Sequence, residues 1–210
     1  MQRWRVKISI GGRLAFLSHL DLLTAWERAM RRAGLPVLLS AGFNPHPLIS
    51  WGPAHAVGVE SLADYFDVDM EDGLPPDWPE RLNACLPEGL RALAARVIDP
   101  RTPALSAVLD TAAYLVALSD IDESALAEGA SALLAEKSHP VERVSPKGRK
   151  IFDLRPGLMF LRAEGSRLLM SVAISPEGYA RPQEVVAAAA PQSRVLSICR
   201  LGLSVGGQEP

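Results

Sequence analysis

The sequence predicts an α+β fold built as two tandem ferredoxin-like (βαββαβ) halves. Three observations carry this. Hydrophobic periodicity in residues 1–100 runs strand, helix, strand, strand, helix, strand. The same order recurs in residues 101–210. Between them stands Asp99-Pro100-Arg101-Thr102-Pro103, a run of turn formers that reads as a linker and sets the halves at 1–100 and 101–210.

Each element has a local reason. Trp4, Val6, Ile8 and Ile10 alternate with Arg3, Arg5, Lys7 and Ser9, the period of a half-buried strand, and Gly11-Gly12 ends it. Ser18 is a good N-cap with Asp21 at the N3 position. The helix it opens places Leu22, Leu23, Trp26, Ala29, Met30 and Ala33 on one face. Gly34 stops it and Pro36 prevents its resumption. A short apolar stretch at 37–39 and the turn-rich loop Gly42-Phe43-Asn44-Pro45-His46-Pro47 follow, then a short strand near 48–51. Phe66, Val68 and Met70 alternate with Asp67, Asp69 and Glu71 as the third strand. Pro79 opens the second helix, and 90–98 closes the half. In the second half the strands fall at 112–118, at 141–144 or else 158–162, at 168–174 and at 195–203. Its helices fall at 122–135 and 182–190.

Composition sets the class. With 210 residues, 48% hydrophobic and 22% charged, the chain folds rather than remaining disordered. Cys85 and Cys199 read as two buried, reduced thiols, and no CxxC or His/Cys cluster offers a zinc site. The N-terminal residues 1–12 alternate charged and apolar types, unlike a signal peptide or a membrane span, so a cytoplasmic protein is expected. The net charge of −2 hides a pattern of two basic ends around an acidic middle: +5 over residues 1–52, −7 over 53–100, −5 over 101–136 and +5 over 137–210. That pattern serves local nucleic-acid contact or neutralisation within the fold.

In the ferredoxin-like plan the first and third strands are neighbours. Arg3, Arg5 and Lys7 should therefore face Asp67, Asp69 and Glu71 on the uncovered side of the sheet, as partners rather than as a metal site. Such a face lacks the aromatics of a base-stacking platform. Arg28, Arg31 and Arg32 cluster on the second face of the first helix, where they either grip phosphates or form a solvated face with a Glu27–Arg31 pair. His19 in the first helical turn and His46 between two stiffening prolines are the candidate acid–base groups. Lys147, Arg149 and Lys150, with Gly148 and then Arg155, form a basic stretch suited to a backbone phosphate or to a solvated hairpin tip. No cofactor and no metal are expected.

Taken together, the segments 16–21, 27–29, 31–36, 42–47, 57–61 and 64–68 closely resemble the radical-SAM-associated domain family of unknown function. Its members occur fused behind, or encoded beside, a cobalamin-binding-type radical SAM protein, often near genes for RNA processing and ribosomal proteins. The resemblance covers residues 1–100 most closely and is thinner beyond, where 147–156 is the main similar stretch. It implies a bacterial accessory protein that contacts RNA or presents substrate to a radical SAM partner, without catalytic activity of its own. This chain lacks the CxxxCxxC that holds the partner's cluster. The tandem plan also allows a metal-independent endoribonuclease using His19 and His46, or a protein-interaction domain without RNA contact.

Overall fold

The computed structural model describes residues 1–145, 148–175 and 178–210. The chain falls into two compact units, Met1–Leu109 and Asp110–Glu209. The short helix that follows the 99–103 segment thus belongs to the first unit.

The first unit runs β1 (Gln2–Ile10), a 3-10 turn (Gly12–Phe16), α1 (His19–Arg32), β2 (Ile49–Trp51), β3 (Val59–Met70), α2 (Trp78–Cys85), β4 (Leu90–Ile98) and α3 (Leu105–Val108). Its strands pair antiparallel in the order β4–β1–β3–β2, the ferredoxin-like order. The core lies between sheet and helices, where Trp26, Met30, Phe66, Ile8, Met70 and Leu82 are fully buried. Trp26 meets Phe66 edge-on with centroids 5.5 Å apart, and Trp51 tilts against Phe66 at 4.7 Å. The two helices cap each other. Arg32 donates to the Cys85 carbonyl at the end of α2, and Arg81 donates to the Ala33 carbonyl at the end of α1, at 2.6 Å. Gly34 takes φ +61°, the left-handed stop its type predicts.

β3 is much longer than its sequence suggests. Alternation in the sequence is visible only from Phe66, because the first part of the strand buries the polar Ser61 and Asp64 and exposes Leu62.

The second unit runs β5 (Thr111–Ser119), α4 (Glu123–Ala135), β6 (Pro140–Ser145), β7 (Gly148–Asp153), β8 (Leu158–Glu164), β9 (Arg167–Ala173), α5 (Pro182–Ala189) and β10 (Arg194–Ser204). The sheet order β10–β5–β9–β8 repeats the first plan. Of the two segments that could be its second strand, 158–164 takes the place, burying Leu158 and Leu161. The other, β6, pairs with β7 in a separate two-stranded hairpin. Gly129 lets α4 approach α5, since any Cβ there would overlap the Ala189 carbonyl oxygen.

Neither cysteine is part of a disulfide among the described residues, and both are half-buried rather than buried. Among the described residues, no helix is long and apolar enough to cross a membrane.

Candidate functional site

The charged stripe of the first sheet is resolved by register. Arg3 stands opposite Asp69 and Arg5 opposite Asp67, and both pairs are bidentate, at 2.7 and 3.1 Å and at 2.7 and 2.9 Å. The third expected pair does not form. In an antiparallel ladder each step forward on one strand is a step back on the other, so Lys7 faces Tyr65, and Glu71 lies beyond the end of β3. Nor is this face open along its length, because Arg5 and Asp67 are 5% and 3% exposed. A cavity of about 370 Å³ lies beside Arg3, Asp67 and Asp69 under residues 47–50. The charges that line it are already spent on one another.

The connection between α1 and β2 is different. Its backbone closes on itself: the Ser40 amide donates to the His46 carbonyl at 2.8 Å, and the His46 amide donates to the Ser40 hydroxyl at 3.0 Å. Pro47 is buried, while Gly42 to His46 are exposed, and the Phe43 side chain is fully open to solvent. The His46 ring lies 3.9 Å from the Glu27 carboxylate on α1. Glu27 therefore faces His46, where the sequence offered it to Arg31. Arg31 is one turn further along the same helix face, and Arg28 is the next residue; both are exposed.

His19 and His46 are not brought together. His46 sits at Glu27, about 12 Å along α1 from His19 at 1.5 Å rise per residue. His19 instead is half-buried, edge-on to Trp51 with centroids 6.2 Å apart. Burial first, and then the His55 imidazole, lower its pKa from the ordinary 6.5, against the opposing pull of Asp64. Ser18 accepts the Asp21 amide and donates its hydroxyl to the Asp21 carboxylate at 2.6 Å, so the cap is local and Asp21 is held at the helix start.

Sequence reasoning passed over His55. It is buried, with its Nδ1 3.6 Å from Asp64 Oδ2. No periodicity marks it, because it lies in the irregular segment between β2 and β3. The available signal was Ser61-x-x-Asp64 on β3, where the Ser61 hydroxyl donates to Asp64 Oδ1 at 2.8 Å.

The basic groups of the second unit divide in the same way. Lys147 lies outside the described residues. Arg149 and Lys150 are exposed on β7, but Arg149 reaches Glu142 across the hairpin at 3.1 Å. Strand pairing thus brings Arg149 a carboxylate from seven residues away in the sequence. Arg155 donates to the Leu134 and Leu158 carbonyls, capping α4. With Arg32 on the end of α2, two of the expected phosphate-binding arginines are engaged by helix termini. Arg143, which the sequence did not single out, anchors the hairpin. It binds Glu184 bidentately at 2.7 and 2.6 Å and lies 3.6 Å over the Phe152 ring.

Two repeats of a ferredoxin-like order, each interrupted after its first helix, define an α+β protein of tandem type. The chain belongs to the DUF2344 family, described as uncharacterized proteins conserved in bacteria, which matches residues 3–182. No curated protein matches it. Among solved structures it is similar to a chain of a Cbf5-Nop10-Gar1 complex, at 11% identity and TM-score 0.46, over 94% of this chain and 47% of that one. It is also similar to a chain of the archaeal box H/ACA sRNP Nop10-Cbf5 complex, at 8% identity and TM-score 0.42, over 94% and 46%. The chain thus spans about half the length of these structural neighbours.

Proposed function

We propose that this protein is an accessory RNA-contacting module that presents its substrate to a radical SAM partner enzyme. The observation that carries the RNA half is the surface made by α1 and the loop after it. A fully exposed Phe43 and an exposed Asn44 stand on a loop whose His46 rests against Glu27, beside the exposed Arg28 and Arg31. An aromatic ring without a packing role suits base stacking, and guanidinium groups beside it suit phosphates. The exposed Lys150, with Arg149 beside it shared with Glu142, is a second basic surface on the β6–β7 hairpin. The partner half comes from the family resemblance. It is supported by the exposed apolar side chains Phe16 and Leu20 around the start of α1.

The test is binding of mixed-sequence single-stranded RNA by fluorescence anisotropy. Phe43→Ala should weaken it by ~1–3 kcal/mol, the worth of one stacked base. Arg28→Ala with Arg31→Ala should weaken it further and flatten its salt dependence. Retained affinity in both variants would remove this surface from RNA contact and favour a protein-interaction domain.

A further inference from the structure

The cavity of about 370 Å³ on the charged side of the first sheet has walls of two kinds. Residues 47–49 and Ala104, at the entry to α3, supply carbon surface, while Arg3, Ser50, Asp67 and Asp69 supply polar atoms. Strand register explains the polar wall. Asp69 stands opposite Arg3 on β1 and Asp67 opposite Ser50 on β2, so alternation sends all four to one side. The ion pairs cancel their charges, and the cavity offers no net charge to a free ion. Their hydrogen-bonding capacity is not exhausted. Each Asp69 oxygen accepts one hydrogen bond from Arg3, which leaves a second lone pair on each. Arg3 uses three of its five N–H groups, two on Asp69 and one on the Pro100 carbonyl. The Arg3 and Asp69 side chains are 30% and 17% exposed and Asp67 only 3%, so Arg3 and Asp69 are the groups a ligand reaches. Acceptors beside donors on a neutral wall, faced by carbon surface, suit a flat neutral ligand with paired donors next to an acceptor. The volume lies at the lower end of the ~300–1,000 Å³ of ligand pockets, which is room for a single ring system.

We propose that this cavity takes one guanine base, unstacked from a single-stranded RNA. The inference rests on the RNA-contact reading above and names the base which that reading leaves open. Guanine alone among the RNA bases carries two adjacent donors, N1–H and the N2 amino group, with the O6 acceptor beside them. The donors match the open lone pairs of Asp69, and O6 matches the remaining Arg3 N–H groups or the Ser50 hydroxyl. Uracil presents one N–H between two acceptors, and adenine and cytosine present one amino group, so each leaves an Asp69 acceptor unmatched. The cavity also lies where a strand held by the loop arrives. Pro47 on its wall ends the loop that exposes Phe43, and the chain between the two spans at most ~14 Å. The paired hydrogen bonds between Ser40 and His46 fix that end of the loop. A strand stacked on Phe43 thus has a neighbouring base within reach of the cavity.

The experiment uses the full chain and single-stranded RNAs of roughly ten nucleotides: all-uridine, the same with one central guanosine, and the same with inosine in its place. Inosine lacks only the N2 amino group. Affinity is read by fluorescence anisotropy, and a thermal melt checks that each variant is folded. The guanosine RNA should bind best, with inosine costing ~10-fold because an Asp69 acceptor is left unmatched. Ala104→Trp fills the cavity from an exposed residue outside the ion pairs and should bind all of the RNAs alike. Asp69→Asn, which exchanges an acceptor for a donor, should narrow the gap between guanosine and inosine. Phe43→Ala should weaken every RNA and keep that gap. Equal wild-type affinity for the guanosine and inosine RNAs overturns the inference and leaves RNA contact standing. An undiminished gap in folded Ala104→Trp or folded Asp69→Asn also overturns it. Guanosine monophosphate that competes as well as the guanosine RNA assigns the cavity to a free nucleotide and overturns the RNA source. Failure to bind any of the RNAs overturns the reading on which the inference rests.

Discussion

The two repeats share an order of elements and differ in what each inserts after its first helix. In the first unit α1 leads through residues 33–48, a closed loop carrying Phe43, Asn44 and His46, before β2 begins. In the second, α4 leads through the β6–β7 hairpin carrying Arg149 and Lys150 before β8 begins. The frames are held by apolar cores and by arginines spent on helix ends. The insertions hold the exposed Phe43, Asn44 and His46 in the first unit and Arg149 and Lys150 in the second, with Arg28 and Arg31 on α1 beside the first. One connection of the ferredoxin-like plan is thus where both repeats place their candidate binding chemistry, as expected of loops carried on a rigid scaffold.

If that division holds, the largest effects on stability belong to the frames. Trp26→Ala should cost ~3–5 kcal/mol, because it empties the centre of the first core against Phe66. Denaturant unfolding measures it. A cost under ~1 kcal/mol would mean that the first unit is not organised around this residue.

Gly129→Ala should cost ~1–3 kcal/mol, since the new methyl group must push α4 away from the Ala189 carbonyl, which is backbone and cannot swing aside. An unchanged melting temperature would contradict the close α4–α5 approach.

A smaller effect is set by pH. Burial acts to raise the Glu184 pKa, but the Arg143 hydrogen bonds, the Arg181 amide and both guanidinium charges outweigh it, so the net shift is downward from 4.5. A carboxylate with a depressed folded pKa contributes stability fully above its unfolded value and loses it as pH falls through the folded one. The stability gap between wild type and Arg143→Ala should therefore be constant above about pH 4.5 and narrow below it, as urea titrations at a series of pH values would show. A gap that widens on acidification would show that the hairpin anchor is not this ion pair.

The smallest effect on stability belongs to the loop. Asn44→Ala, at an exposed position, should move stability by within ~0.5 kcal/mol while weakening RNA binding. A large drop in melting temperature with binding per folded molecule unchanged would make the loop a structural element.

How far each part could be read from sequence follows the same division. Strands with one wet face announce themselves, as Trp4 to Ile10 do, and so do helices with an N-cap and a glycine stop, as Ser18 and Gly34 do. β3 was only half visible, because its first part buries the polar Ser61 and Asp64 and exposes Leu62. Arg3–Asp69 and Arg5–Asp67 were predictable from strand adjacency, whereas the failure of Lys7 to meet Glu71 needed the register. The pairing of Arg149 with Glu142, the spending of Arg32 and Arg155 on distant carbonyls, and the meeting of His55 with Asp64 are all tertiary. Each joins groups whose proximity no local pattern encodes. His46 shows the converse case: its stiff setting was legible, but its neighbour Glu27 was not.

The most direct test of the central claim is RNA affinity measured across a salt series for wild type and two double variants. One is Arg28→Ala with Arg31→Ala beside the first insertion, and the other is Arg149→Ala with Lys150→Ala on the second. Each lost phosphate contact should lower the slope of log affinity against log salt by ~0.7 for a single strand. The account predicts a reduced slope in both variants, with melting temperatures close to wild type. Slopes and affinities equal to wild type in both would contradict it and place any nucleic-acid contact away from these two insertions.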